Sequence, residues 1–164
     1  MNSRSPIQVT DPSAPGLVMS LEIPDTWTDA SSDDELPTEV LAAFTDDRSL
    51  TAGFTTNVLL ISQELPAADL ESWQLRSRRE QLASLPDLQI LDDRVVSGSP
   101  LPTWYRSRVM TGSGPSTQLV REWSRVVADR ALTLTITTVP TVDAEHAELL
   151  DAIADSWTTR TEEA

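Results

Sequence analysis

Two adjacent segments, residues 103–111 and 116–127, carry tryptophan and arginine at alternating positions. Alternate side chains of a β-strand point to the same face of a sheet, so each segment would present these residues together. The six side chains are Trp104, Arg106, Arg108, Arg121, Trp123 and Arg125. Guanidinium groups bind carboxylates well, and indole rings provide buried contact area at interfaces. The pattern therefore predicts a surface that binds an acidic or amphipathic segment of a partner protein.

The connection between the two segments decides which of these side chains meet. Residues 112–115 (GSGP) predict a four-residue hairpin loop. That loop would place Trp104 opposite Trp123 and Arg106 opposite Arg121, on one face. Like charges in opposite positions destabilise a strand pair, so carboxylates or stacked rings must compensate. Two interpretations stay open: a partner-binding face, or a face covered by a helix with its arginines paired inside the domain.

The other residues that could do chemistry are isolated or unsuitably spaced. His146 is the only histidine, and its place early in the last predicted helix favours a structural role at the edge of the core. The acidic runs at residues 33–35 and 46–47 lack the ligand spacing of a calcium loop. Asp92 and Asp93 are neighbours, so their carboxylates would point to opposite faces of a strand. The sequence predicts no catalytic residue, no cofactor and no metal site.

Charge and composition exclude several kinds of partner. The 164 residues have a formal net charge of −14, and the chain contains arginine but no lysine. Nucleic acids and anionic membrane surfaces bind clustered positive charge, so neither is a predicted partner. The chain has no cysteine and no apolar run approaching the ~20 residues that span a membrane.

The N-terminal segment, residues 1–16, is polar and lacks the apolar stretch of a secretory signal. This predicts a flexible N-terminus and a soluble, cytoplasmic protein. A lipoprotein signal removed upstream of Met1 would leave the same sequence, so that alternative stays open.

The chain as a whole predicts one α+β domain over residues 1–164. Strands are expected where β-branched and apolar residues cluster between turn signals. They cover residues 17–23, 40–44, 54–63, 88–96, 103–111, 116–127 and 131–139. Residues 28–39 (TDASSDDELPTE) predict an exposed acidic loop. Short links between the last four strands predict a mainly antiparallel β-sheet flanked by helices.

Two helices are predicted, at residues 66–85 and 143–159. Pro66 suits the first turn of the first helix, and Asp143 is a suitable N-cap for the second. The inner side of the first helix is predicted to carry Leu70, Trp73, Leu75, Leu82 and Leu85. The second is predicted to bury Leu149, Leu150, Ile153 and Trp157.

Short structural motifs give the chain a resemblance to a known fold. Residues 21–27 (LEIPDTW) are similar to a strand ending in Pro-x-x-Trp, and residues 54–58 (FTTNV) to a Phe-x-x-Asn-hydrophobic strand. Residues 132–138, followed by a terminal helix with Trp157, complete the pattern. The chain resembles the PsbP-like superfold of PsbP, Mog and DcrB proteins, in particular its LpqN-like actinobacterial branch. The resemblance implies an α/β/α sandwich.

The resemblance also implies a binding or assembly module. Members of this superfold bind a GTPase, support a photosystem or act as secretion-effector chaperones, and no catalytic residues come with the fold. We therefore expect a non-enzymatic protein-binding or scaffold module. The alternatives are a secretion-effector chaperone or adaptor, an enzyme without histidine or metal that acts on an anionic substrate, and a subunit that forms homodimers.

Overall fold

The computed structural model describes residues 3–51, 53–112, 114 and 116–162 of the chain. Within these residues the chain forms ten strands and two helices. In chain order they are β1 (Arg4–Thr10), β2 (Leu17–Pro24), β3 (Thr28–Asp29), β4 (Val40–Thr51), β5 (Phe54–Glu64), α1 (Leu70–Ser84), β6 (Gln89–Val95), β7 (Trp104–Thr111), β8 (Thr117–Val127), β9 (Arg130–Thr138), α2 (Pro140–Asp155) and β10 (Thr158–Thr161).

The strands form two antiparallel sheets. The large sheet has seven strands in the order β3-β4-β5-β9-β8-β7-β6, and the small sheet has three in the order β1-β2-β10. Helix α1 lies against one face of the large sheet, where it contacts β7, and α2 with the small sheet covers the other face. The fold is therefore α+β, a mainly antiparallel sheet flanked by helices, which confirms the predicted class.

The main hydrophobic core lies between the large sheet, the small sheet and α2. Alternation along the strands directs one set of side chains from each sheet into this layer. Its most buried members are Leu17, Met19, Leu21, Val58, Leu60, Leu132, Leu134, Ile136, Leu150, Ile153 and Trp157. Trp157, which follows the C-cap residue Ser156 of α2, is 2% exposed. This confirms its predicted burial.

The ends of α2 differ from the prediction. The helix begins at Pro140 rather than at Asp143. Proline suits the first helical position, because its fixed φ is already helical and its missing N–H would have no partner there. The helix ends at Asp155, and Thr158–Thr161 pairs with β2 as β10. His146 is exposed rather than at the edge of the core.

The buried side of α1 is narrower than predicted. The helix begins after Asp69, whose carboxylate accepts a hydrogen bond of 2.8 Å from the backbone N–H of Ser72. Trp73 is buried as expected, but Leu75 and Leu82 are 43% and 47% exposed. The prediction that these two leucines face inward is wrong. The sheet face beneath α1 carries charged and polar side chains, so it offers no broad apolar surface to cover.

The N-terminal segment is part of the small sheet, so the predicted flexible N-terminus is wrong for Arg4–Thr10. This stretch pairs with β2, from Arg4 opposite Pro24 to Thr10 opposite Val18. Its apolar alternation is limited to Ile7 and Val9, which pack against the main core. Of the predicted segment, residues 1 and 2 lie outside the described residues.

Gly16 lies where the small sheet closes. Its φ is +87°, and a Cβ at this position would lie 2.7 Å from the carbonyl oxygen of Glu162. The backbone N–H of Glu162 donates to the carbonyl of Gly16 at 2.7 Å. Glycine is required here both for the left-handed conformation and for the close approach of the two backbones.

Most of the predicted acidic loop is irregular and exposed. Thr28–Asp29 forms β3 beside β4, and residues 30–39 make successive turns. The carboxylates of Asp29 and Asp33 accept hydrogen bonds of 2.9 Å from the backbone N–H groups of Ser31 and Glu35. These aspartates therefore act as local turn residues.

Asp11 ties the N-terminal segment to the large sheet. Its carboxylate is 3% exposed and accepts hydrogen bonds from Ser62 Oγ, from the backbone N–H of Ser13 at 2.7 Å and from Arg130 Nε at 3.0 Å. Burial by itself would raise the pKa of Asp11. The hydrogen bonds and the charge of Arg130 outweigh it and hold the pKa below its ordinary value.

Asp11→Asn should therefore destabilise the protein more at pH 7 than in acid. A lowered pKa in the folded state contributes stability above the unfolded value of about 3.9, and this contribution is lost as the pH falls through the folded value. Urea unfolding of both proteins at several pH values measures it. The difference in the free energy of unfolding between the wild type and Asp11→Asn should become smaller below about pH 4. For Asp34→Asn, in the exposed loop, this difference should be small at every pH. A constant difference for Asp11→Asn would contradict the assignment.

Candidate functional site

The loop between β7 and β8 is one residue longer than predicted. Thr111 pairs with Thr117, so residues 112–116 form the connection. The backbone N–H of Gly112 donates to the carbonyl of Ser116 at 3.2 Å, which closes the loop. Ser113 and Pro115 of the predicted turn lie outside the described residues.

The longer loop changes the pairing of the Trp/Arg segments. Trp123 lies opposite Tyr105, and Arg106 lies opposite Glu122. The prediction that Trp104 faces Trp123 is therefore wrong, as is that of Arg106 facing Arg121. Because side chains alternate along a strand, a shift of one residue moves a whole set to the other face.

The six predicted residues consequently lie on two faces of the large sheet. Trp104, Arg106 and Arg108 face α1, and Arg121, Trp123 and Arg125 face α2. The structure brings each set of three together and separates the two sets by the thickness of the sheet.

The set beneath α1 is internally paired. Asp93 accepts hydrogen bonds from Trp104 Nε1 at 2.6 Å and from Arg106 Nε at 3.1 Å. Arg106 is 1% exposed, and its Nη2 donates to the backbone carbonyl of Gln74 in α1 at 2.8 Å. Arg108, also buried, pairs with Glu122. Arg106 therefore links α1 to the sheet directly, and Asp93 does so through its ion pair with Arg78 of α1 at 3.5 Å.

Arg121, on the other face, is also paired within the chain. It contacts Asp143 at 3.5 Å and Asp151, both in α2. Its Nε donates to the hydroxyl of Tyr105 at 3.4 Å, and its guanidinium lies 5.1 Å from the ring centroid of Trp123. Burial alone would lower the pKa of Arg121, but the bonds to Asp151 and Tyr105 hold it above the ordinary value.

Arg125 differs from its neighbours. Its Nε donates to Thr103 Oγ1 at 2.9 Å, and its Nη1 donates to the backbone carbonyl of Trp157 at 3.0 Å. The guanidinium carbon lies 4.1 Å from the ring centroid of Trp157. No carboxylate among residues 3–51, 53–112 and 116–162 forms an ion pair with it. Burial lowers the pKa of Arg125, because removal from water disfavours the charged form.

Arg125 lines a cavity of about 490 Å³ at the C-terminal end of α2. Trp123 and Trp157 contribute indole surface to its wall, and residues 96–101 between β6 and β7 close one side. Gly98 in this loop has a φ of +76°, which favours glycine. The volume falls within the roughly 300–1,000 Å³ typical of ligand pockets.

Two polar groups in the residues around the cavity have no hydrogen-bond partner in the described part of the chain. They are the indole Nε1–H of Trp157 and the hydroxyl of Thr159, both buried. Buried polar groups are normally paired in folded proteins, so an ordered water or a bound group is one explanation for these two. Trp27 Nε1, Gln81 Oε1 and Arg108 Nε, away from the cavity, are unpaired in the same way among the described residues.

The cavity loop and Trp157 were not predicted as site residues. Residues 97–102 (SGSPLP) combine glycine, proline and serine between two strands, which is the one signal that could have identified the loop. Nothing in the sequence indicates that the residues after α2 would meet it.

In the described ranges, no group of three or more His, Asp or Glu side chains is placed to bind a metal ion. No helix within the same ranges is both long and apolar enough to cross a membrane.

Solved structures place this architecture among known folds, although no protein-family model and no curated protein matches the sequence. LpqN of Mycobacterium tuberculosis, described as involved in cell envelope biogenesis, aligns with a TM-score of 0.67 at 13% identity, over 98% of this chain and 93% of LpqN. The Ran-binding protein Mog1p of Saccharomyces cerevisiae aligns with a TM-score of 0.61 at 13% identity, over 96% of each chain. The chain has the PsbP/Mog1 fold.

The cyanobacterial PsbP of Synechocystis sp. PCC 6803 is similar in the same way, with a TM-score of 0.61 at 16% identity over 95% of this chain and 93% of that one. The alignments span nearly the whole of each chain. The resemblance inferred from residues 21–27 and 54–58 is confirmed at the level of the fold.

Proposed function

We propose that the protein is a non-enzymatic binding module that holds a segment of a partner protein in the cavity beside Arg125. The observation that carries the proposal is the combination of two indole walls with an arginine that has no carboxylate partner in the described residues. Tryptophan and arginine are the residues that most often anchor protein interfaces.

Similar folds support the proposal. Mog1p, which has the same fold, is a Ran-binding protein. A protein with this fold can therefore present a protein-binding surface. A secretion-effector chaperone or adaptor, the alternative predicted from sequence, is one kind of such module, and identifying the partner would distinguish it.

The position of the cavity also suits a partner. It opens at the end of α2 beside residues 96–101, a surface loop that can adjust to a bound segment. The face beneath α1 is less suitable, because Trp104, Arg106 and Asp93 are already hydrogen-bonded to one another and to the helix.

Site-specific photocrosslinking tests the proposal. Leu101, which lines the cavity, is replaced by the photoreactive residue p-benzoylphenylalanine, and the protein is irradiated in the cells that produce it. We expect an adduct with one discrete protein, since the probe would lie within reach of the bound segment. The crosslinked protein is then purified and should bind the unmodified chain in isolation.

Leu82 is the matched control position, because it is an exposed leucine on α1, against the opposite face of the large sheet. The same probe at Leu82 should not form this adduct. Equal adducts from both positions, or no protein adduct from Leu101, would contradict the proposal. A small anionic molecule retained in the cavity instead would favour the predicted alternative of an enzyme that acts on an anionic substrate.

A further inference from the structure

The protein neutralises its other well-buried arginines with its own carboxylates. Four other arginines have side chains that are at most 17% exposed, and each of the four forms an ion pair with a carboxylate of the same chain. The pairs are Arg106 with Asp93, Arg108 with Glu122, Arg121 with Asp143 and Asp151, and Arg130 with Asp11. Arg125 is partly buried and breaks this rule, since it has no such partner among the described residues.

The hydrogen bonds of Arg125 leave one edge of its guanidinium unused. A guanidinium carries five N–H donors. Thr103 Oγ1 takes the one on Nε, and the carbonyl of Trp157 takes one on Nη1. The remaining Nη1 donor and both Nη2 donors make no hydrogen bond to a described residue. Neighbouring donors on Nη1 and Nη2 are spaced to receive the two oxygens of one carboxylate.

We propose that the cavity is a carboxylate-binding site in which Arg125 receives a carboxylate borne by a peptide segment of the partner. This deepens the proposed function and rests on it. The same chemistry can come from a C-terminal carboxylate or from an acidic side chain, and the experiment below separates the two.

Charge favours a carboxylate over a phosphate. Among the described residues that line the cavity, Arg125 is the only cationic one, and Asp155 is also present. A doubly charged phosphate would therefore remain undercompensated, whereas a singly charged carboxylate matches one guanidinium. The apolar part of the wall, which includes Trp123, Trp157 and Leu101, favours an apolar side chain next to the carboxylate.

Three acetylated tripeptides test the site on the intact protein. Ala-Ala-Leu with a free C-terminus carries a terminal carboxylate, Ala-Ala-Leu amide carries none, and Ala-Glu-Leu amide carries a side-chain carboxylate. Binding is followed by NMR shifts of the Trp123 and Trp157 indole N–H signals. We expect millimolar binding of at least one carboxylate peptide and about tenfold weaker binding, or none, of the uncharged amide.

The variant Arg125→Gln should lower the affinity for that peptide about tenfold or more, because glutamine can donate hydrogen bonds but carries no charge. Arg79→Gln is the matched control. Arg79 also forms no ion pair with a described residue, but it is exposed on α1, so its replacement should leave binding unchanged.

Several results would overturn the inference. They are equal binding of the acid and amide peptides, no shift from any peptide at millimolar concentration, unchanged binding by Arg125→Gln, or displacement by inorganic phosphate at an equal concentration. If Arg125→Gln does not fold, the comparison of the acid and amide peptides on the unmodified protein still tests whether the cavity prefers a carboxylate.

The two proposals fail in different ways. A specific Leu101 crosslink without a preference for carboxylates would leave the partner-binding function standing and remove the carboxylate site. A preference for carboxylates without any protein adduct would instead assign the cavity to a small organic acid, and the proposed function would fall.

Discussion

Replacing Trp157 with alanine should lower the free energy of unfolding by about 3–5 kcal/mol, the range for truncating a buried aromatic side chain. Trp157 is 2% exposed and lies in the main core with Leu150 and Ile153. Its ring also lies beneath the guanidinium of Arg125. Truncation would remove the apolar contacts and leave a cavity that the sheets on either side could not close.

Urea unfolding followed by circular dichroism measures the Trp157→Ala effect. Leu82→Ala is the control, because Leu82 is 47% exposed and its loss should cost much less. A change for Trp157→Ala no larger than that for Leu82→Ala would mean that the segment after α2 does not hold the core together. If the variant still folds, the lost indole surface should also weaken binding of the leucine side chain of the test peptides.

Arg106→Ala should destabilise the protein by about 3–5 kcal/mol, because it removes the buried counter-ion of Asp93 and leaves that carboxylate only the longer contact of 3.5 Å to the half-exposed Arg78. Arg106 is 1% exposed and Asp93 is 11% exposed. The substitution also leaves the backbone carbonyl of Gln74 without its donor. Arg79→Ala, at an exposed arginine on α1, should change stability little.

A second substitution separates charge from packing at this site. Adding Asp93→Asn to Arg106→Ala removes the carboxylate charge that Arg106 no longer balances and should recover part of the lost stability. The double variant should stay below the wild type because the volume of Arg106 is still missing. If Arg106→Ala were no more harmful than Arg79→Ala, the role of Arg106 in joining α1 to the sheet would be wrong.

The sequence predicted most of the elements because their signals are local. The segments 54–63 and 131–139 show the β-branched and apolar pattern of strands. The ends of these predicted strands agree to within one residue with those of β5 (Phe54–Glu64) and β9 (Arg130–Thr138). Antiparallel pairing followed from short connections. β1 was not predicted because its apolar alternation is only two residues long, Ile7 and Val9, in an otherwise polar segment at the edge of the small sheet.

The loss of one predicted face came from the length of a single loop. A loop of four residues or of five uses nearly the same glycine- and proline-rich segment, but the two place Trp123 on opposite faces relative to Trp104. The prediction that each strand presents its tryptophan and arginines on one face was correct. The prediction that the two sets form one six-residue surface was wrong.

By itself the sequence determined the fold class, the burial of Trp157 and the enrichment of tryptophan and arginine on β7 and β8, because side-chain alternation and composition act along the chain. Only the tertiary structure decided which arginines have partners. Asp93, Asp143 and Asp151 reach Arg106 and Arg121 from other elements, whereas no described carboxylate reaches Arg125. An ion pair depends on distances of a few ångströms between segments far apart in sequence, and these distances are set by the packing of the helices on the sheet.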